Sequence, residues 1–302
     1  MADIEMNPAI LGRRLRSTLQ SFREDKELTQ AEAARRLGWS ASKLLRIENG
    51  KHGISVEDLE QLLGLYGITD PGQTRDLWSA AKIAASGQRS APTGRGLTAE
   101  YRKYLTFERA ASRIKHFEPL LIPGHLQTSE YADAVIRGLA DDDDTDEAIA
   151  ERVAQRREIR AGVHGRTPPP NMHFLIDEAA IHRRIGGAVV MAEQLRHLSV
   201  LSRRSNIAIQ IIPFELGVHP GLSGPFSLLE FEGPEPAVLY REGGLVDHID
   251  RDGQLDQIQL HLRRFDELVE LAAPTAWLDR ILEGAIAAMT PFRAPMERSS
   301  AS

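Results

Sequence analysis

Arg46 is the side chain in this sequence best equipped for a defined chemistry, because it stands in the stretch TQAEAARRLGWSASKLLRIENGK, residues 29–51, among Ala41, Ser42 and Lys43. A guanidinium can bond O6 and N7 of a guanine together, and such a pair discriminates against other bases by about 1–3 kcal/mol. That use requires a helix with one face buried and the other able to enter a major groove. Leu37, Leu44 and Ile47 supply a shared core at helical spacing, which leaves Ala41, Ser42, Lys43 and Arg46 on the opposite face as base-reading candidates.

A second constellation is Asp177, Glu178 and His182. Glu178 and His182 are four apart and share a helix face, so they could form an acid–base pair or a two-ligand metal site with His125 or His219. The simpler reading is structural, with Asp177 capping a helix and His182 paired to Glu178. No HExxH, phosphate-binding glycine loop or GxSxG elbow is present. The expectation is therefore no enzyme, no cofactor and no metal. The acidic run Asp141–Asp144 reads as a solvated loop, GVHPGLSGPF as a connection between strands, and Leu120–Pro123 as core.

The elements that must position Arg46 are marked by caps. Leu11, Leu15, Leu19 and Phe22 define a first amphipathic helix. Thr29 and Glu32 form a capping box that starts a second, and Gly38 stops it. Ser40 can cap a third helix ended by Gly50, where a left-handed backbone costs glycine least. A fourth fits Ser55–Tyr66, and a fifth begins at Asp70 and Pro71 and runs to about Ala85. Ala33 and Ala34 are small where the second and third helices must cross.

Charge is distributed to suit this arrangement. The chain of 302 residues has a net charge of −6, yet residues 9–52 carry ten Lys and Arg (Arg13, Arg14, Arg16, Arg23, Lys26, Arg35, Arg36, Lys43, Arg46, Lys51) against five acids (Glu24, Asp25, Glu27, Glu32, Glu48). A basic end on an acidic body fits a protein that offers one face to phosphate, since counterion release rewards local charge. With no cysteine, disulfides, thiolate metal sites and a cysteine nucleophile are excluded. No apolar run reaches the roughly 18 residues of a membrane span, and Met1–Ala9 lacks signal-peptide character, so a cytoplasmic protein is expected.

Ser86–Gly96 is rich in Gly, Ser, Pro and Arg and reads as a linker. Beyond it, helices are predicted at Ala99–Lys115, Thr128–Leu139, Thr145–Val163, Glu178–Ile185, Ala188–Arg203, Asp252–Ala273 and Pro274–Met289. Strands are predicted at Met172–Ile176, Ile207–Ile212, Phe226–Phe231 and Ala237–Arg241. The resulting division is a five-helix helix-turn-helix domain at 1–85, a linker at 86–96, an α+β domain with a small, mainly antiparallel sheet at 97–290, and a loose tail at 291–302.

Residues 8–68, with the run RIENGK, resemble the XRE (Cro/C1-type) helix-turn-helix family. The resemblance implies that Gln30 contacts DNA phosphate and braces the recognition helix, that Ser40, Asn49 and Lys51 contact phosphate, and that Arg23 and Glu48 form a structural ion pair. Ala41 departs from the long polar side chain often found at its position. The phrases FEPLLIPGHLQTSEYADAVIRG, FLIDEAAIHRRIGG, NIAIQIIPFELGVHPGLSGPFSLLEF and VLYREG are similar to the domain-of-unknown-function family 5753, found after such modules in actinobacterial regulators. This implies a transcriptional regulator whose second domain senses a signal, dimerises or docks a small protein encoded nearby. The alternative is an antitoxin-like protein that neutralises such a partner and autoregulates. One small module buries little DNA surface, so a homodimer on a near-palindromic operator is expected.

Overall fold

The computed structural model describes residues 7–50, 52–89, 97–233, 235–241, 248–250 and 255–289. They fall into two compact units: the described residues of 1–93 with Leu97–Ala111 and those of 231–235, and a second of Ser112–Glu230 with the described residues of 236–302. The segment Leu97–Ala111, placed by sequence in the second domain, thus groups with the N-terminal helices.

The first unit is helical. Helices α1 (Pro8–Asp25), α2 (Gln30–Arg36), α3 (Ala41–Glu48), α4 (Val56–Tyr66) and α5 (Pro71–Arg89) are joined by short turns, and α6 (Ala99–Glu108) follows. Their starts obey local side-chain chemistry: Asn7, Thr29, Ser40 and Ser55 each accept backbone N–H groups of the first turn. One core gathers Leu15, Leu19, Leu44, Leu59, Leu62 and Tyr66, with Ala33 and Ala34 closed to solvent where α2 meets α3. Helix α5 extends through Arg89, past the expected boundary near Ala85 and into the range read as linker.

The second unit is α+β. A six-stranded sheet has the order β3-β2-β1-β4-β5-β6, with β1 Arg113–Glu118, β2 Asn171–Asp177, β3 Ile207–Ile212, β4 Phe226–Glu230, β5 Val238–Arg241 and β6 His248–Asp250. Strands β1, β2 and β3 run parallel, whereas β4, β5 and β6 add antiparallel strands beyond β1. The sheet is therefore mixed, with antiparallel pairing confined to one half. The two parallel links are crossovers through helices: α7 (Ser129–Gly138) and α8 (Asp146–His164) before β2, then α9 (Glu178–His182) and α10 (Gly187–Ser202) before β3.

Register assigns the faces. Phe117 pairs with Leu175 and Phe226, and these three join Leu228, Leu239 and Ile212 against Ile258, Phe265 and Leu268 of α11 (Leu255–Leu271). Helix α12 (Leu278–Ala287) closes the described chain. The GVHPGLSGPF segment connects β3 to β4 and rests Gly221 on Phe117, where a Cβ would stand 2.3 Å from the ring. Only glycine permits that approach.

Two expectations need correction. The helix predicted over Ala99–Lys115 stops at Glu108, and Arg113–Glu118 is the central strand β1. Ala110 and Ala111 favour helix locally, but β1 bonds along both edges to partners more than fifty residues away in sequence, and that pairing overrides local propensity. Strand β6 was not expected. Its three residues are too few to show an alternating pattern.

Candidate nucleic-acid interface

The positioning of α3 begins at Thr29. Its hydroxyl accepts the Glu32 amide at 3.2 Å while Glu32 Oε2 accepts the Thr29 amide at 2.9 Å, a reciprocal cap that starts α2. The hydrogen bonds from the Thr29 side chain and backbone hold the Glu32 carboxyl below its ordinary pKa. Gly38 turns the chain at φ +69°, the Trp39 amide donates to the Ala34 carbonyl at 2.8 Å, and Ser40 Oγ accepts the Lys43 amide at 3.3 Å. Helix α3 therefore leaves α2 through a turn whose hydrogen bonds are fixed. Asn49 caps its end and Gly50 leaves it at φ +64°.

Helix α3 has two distinct faces. Leu44, Ile47 and Glu48 are buried, whereas Ala41, Ser42, Leu45, Arg46 and Asn49 are exposed. The exposed set follows the i, i+3, i+4 spacing of one helix side. Lys43 lies off this side, and the open face is narrower than expected. Its Nζ is 2.6 Å from Asp58 Oδ1 and 4.0 Å from the centre of the Trp39 ring. Trp39 is itself held by a 3.0 Å bond from Nε1 to Gln61 Oε1. Leu45 was missed as a surface candidate. It is 44% exposed, four residues from Ala41, and that spacing was the available signal. A branched apolar side chain there is suited to a thymine methyl group.

Behind this face, Arg23 and Glu48 lie at 2.8 Å. Gln30 Nε2 donates to Glu48 Oε2 at 2.7 Å, and Arg23 Nη1 donates to the Leu28 carbonyl at 2.8 Å. The Arg23 pKa is raised chiefly by its hydrogen bond to Glu48, against the opposing cost of burial. Tyr66, nearby, has its phenol pushed up to about 12 by burial first and by the Glu48 charge second. Ser40 is exposed at the start of α3, while Lys51 lies outside the described residues.

The other constellation forms a structural brace. Asp177 Oδ1 accepts the Ala179 amide at 2.8 Å, and its Oδ2 lies 3.2 Å from Nε2 of the buried His219. His219 Nδ1 accepts the Gly221 amide, so Nε2 carries the proton toward Asp177. Glu178 meets His182 at 3.3 Å and accepts the Phe214 amide at 2.8 Å. The pair thereby pins the loop that follows β3. His125 is apart from this group, with its ring 6.1 Å from that of His164. Among the described residues no cluster of three His, Asp or Glu side chains has metal-ligand geometry, and no helix is long and apolar enough to cross a membrane.

Comparison with known families matches the two units in order. Residues 11–78 match the family model described as "Helix-turn-helix domain", and residues 101–277 match "Domain of unknown function (DUF5753)". No curated protein and no solved structure matches the chain. The helix-turn-helix match, on the region that presents the open face of α3, suggests a DNA-binding regulator. The second match spans more than half of the sequence, and the protein belongs to the DUF5753 family, with a helix-turn-helix domain on its N-terminal side.

Proposed function

We propose that this protein is a non-enzymatic, cytoplasmic transcriptional regulator of XRE type that binds a near-palindromic operator as a homodimer. The observation that carries the reading is the two-sided character of α3: Leu44 and Ile47 are locked into the core, while Ala41, Ser42, Leu45 and Arg46 stand open beside exposed Ser40 and Asn49. Arg46 is the principal base reader on this reading, with Ala41 and Ser42 close to base edges. Lys43 reaches DNA on exchanging Asp58 for a phosphate. Gln30, Ser40, Asn49 and Lys51 clamp the backbone, with Gln30 also bracing Glu48. On this reading the module is followed by a regulatory domain that dimerises, senses a signal or docks a small protein.

Selection of bound sequences from a random DNA pool, with light scattering of the resulting complex, tests the reading. The expected outcome is one enriched motif with two half-sites about 10 base pairs apart and two chains per duplex. Recovery of unenriched DNA, or a single chain on a saturated duplex, overturns it.

A further inference from the structure

Helices α7 and α8 of the second unit border a shallow, open cleft with room for about one water, lined by Gln127, Thr128, Ser129, Arg156, Arg157 and Arg160. Arg156 and Arg160 are four apart and share a face of α8, where like charges oppose each other. Both converge on one buried residue through neutral acceptors. Arg156 Nη1 donates to Gln127 Oε1 at 3.1 Å, and Arg160 Nη1 donates to the Gln127 carbonyl. Arg204 Nη1 points to His164 Nδ1 at 3.5 Å, again a neutral acceptor.

The contrast along α8 is informative. In its first part Arg152 is paired with Asp144, whereas among the described residues no carboxylate pairs with Arg156, Arg157, Arg160 or Arg204. The surrounding field is positive. His164 is lowered to about 4, by burial first, then by His125, Arg204 and Arg160, and His197 is lowered by burial with Arg160 and Arg204. The N-terminal turn of α7 adds amide dipoles at the cleft rim, and Glu130 in that turn does not line it.

We propose that this cleft is an effector site that binds the phosphoryl group of a small ligand through Arg156, Arg157 and Arg160, with the Ser129 hydroxyl beside them. A carboxylate would balance only one of three guanidinium charges, whereas a phosphoryl group brings up to two charges and three acceptor oxygens suited to the guanidinium fork. Because the cleft itself is only water-sized, the phosphoryl group seats at its open mouth, where Arg157 is exposed, with the rest of the ligand outside. The site is independent of the DNA reading and is measured without DNA.

Calorimetry on the full chain at constant ionic strength, with inorganic phosphate, glycerol 3-phosphate and acetate as probes, tests it. A dissociation constant below about 1 mM is expected for a phosphoryl probe, with acetate at least about tenfold weaker. Equal binding of the two phosphoryl probes supports free phosphate as the ligand, and tighter binding of the ester supports a phosphorylated metabolite. Arg157 is exposed, so Arg157→Gln should melt like wild type and bind about 3–10-fold more weakly, with a larger loss when Arg156→Gln is added. Acetate binding as well as phosphate, no heat from any probe, or an unchanged Arg157→Gln overturns the proposal. So does loss of DNA affinity in these variants without phosphate binding, which places the arginines on a DNA backbone.

Discussion

Arg23 holds Glu48 with two nitrogens, Nε to Oε1 at 2.8 Å and Nη2 to Oε2 at 3.2 Å, and both side chains are nearly closed to solvent. The pair ties the end of α1 to the end of α3, so the orientation of the recognition face depends on a contact remote from that face. Glu48→Ala leaves the buried guanidinium of Arg23 with only the exposed Glu24 carboxylate, at 3.5 Å, as an ionic partner, and is expected to cost about 3–5 kcal/mol. Replacing both residues, as Arg23→Met with Glu48→Leu, should recover most of that loss because neither charge then remains buried. Urea denaturation of the two variants checks this, and Glu48→Ala within about 0.5 kcal/mol of wild type contradicts it.

Arg46→Ala should separate sequence reading from general affinity. Because Arg46 is exposed and outside the core of α3, its removal should leave the melting temperature unchanged. Binding to the selected operator should weaken by about 1–3 kcal/mol, with affinity for random duplex little altered. Lys51→Ala, a phosphate-clamp variant, should weaken both and reduce the salt slope by about 1. Fluorescence anisotropy over a salt series gives the two affinities and the salt slope, thermal melting gives the stability, and equal operator binding by Arg46→Ala and wild type removes Arg46 from readout.

Local chemistry made the first unit readable: the Thr29 capping box, the Ser40 cap and the left-handed glycines at 38 and 50 each involve residues only a few positions apart. The exposed side of α3 followed from the same short-range periodicity. The contacts of Lys43 were not legible, because its partners are Asp58 and the ring of Trp39 and no pattern within α3 announces an acid fifteen residues away. Strand β1 was misread for a related reason. Its identity as a strand is set by β2 and β4, one of them more than a hundred residues distant. The arginines of α8 were legible as charges, but their convergence on Gln127 depends on how α7 and α8 meet.

Acid should weaken the second unit through its half-buried histidines. His164 is lowered to about 4, with burial the largest cause and the charges of His125, Arg204 and Arg160 adding to it. An unfolded histidine takes its proton near pH 6.5. Its depressed folded pKa means the unfolded chain binds more protons between these values, so the contribution is complete above about pH 6.5 and is lost as pH falls toward 4. His173 and His197 are also lowered, mainly by burial, and add to the slope in the acid direction. His164→Gln should flatten, without abolishing, the fall in melting temperature over this range. An NMR titration showing the His164 ring protonating near pH 6.5 in the folded protein contradicts the expectation.

Lys43 and Asp58 provide a test of how the recognition helix meets phosphate. Their 2.6 Å pair is partly exposed, with 36% and 19% of the respective side chains accessible, so its contribution to stability should be below about 1 kcal/mol. Its effect on binding should be larger. Asp58→Asn removes a negative charge from the rim of the recognition face and releases the Lys43 ammonium, leaving the stack on Trp39 as its remaining tether. The expected result is tighter binding to operator and random DNA alike, with a salt dependence steeper by up to about 1 phosphate equivalent. Lys43→Met in the same background should abolish the gain, because the released cation is what reaches the phosphate. A gain that persists without Lys43 would instead arise from lost repulsion by Asp58 alone, and the double-mutant cycle across binding constants distinguishes the two.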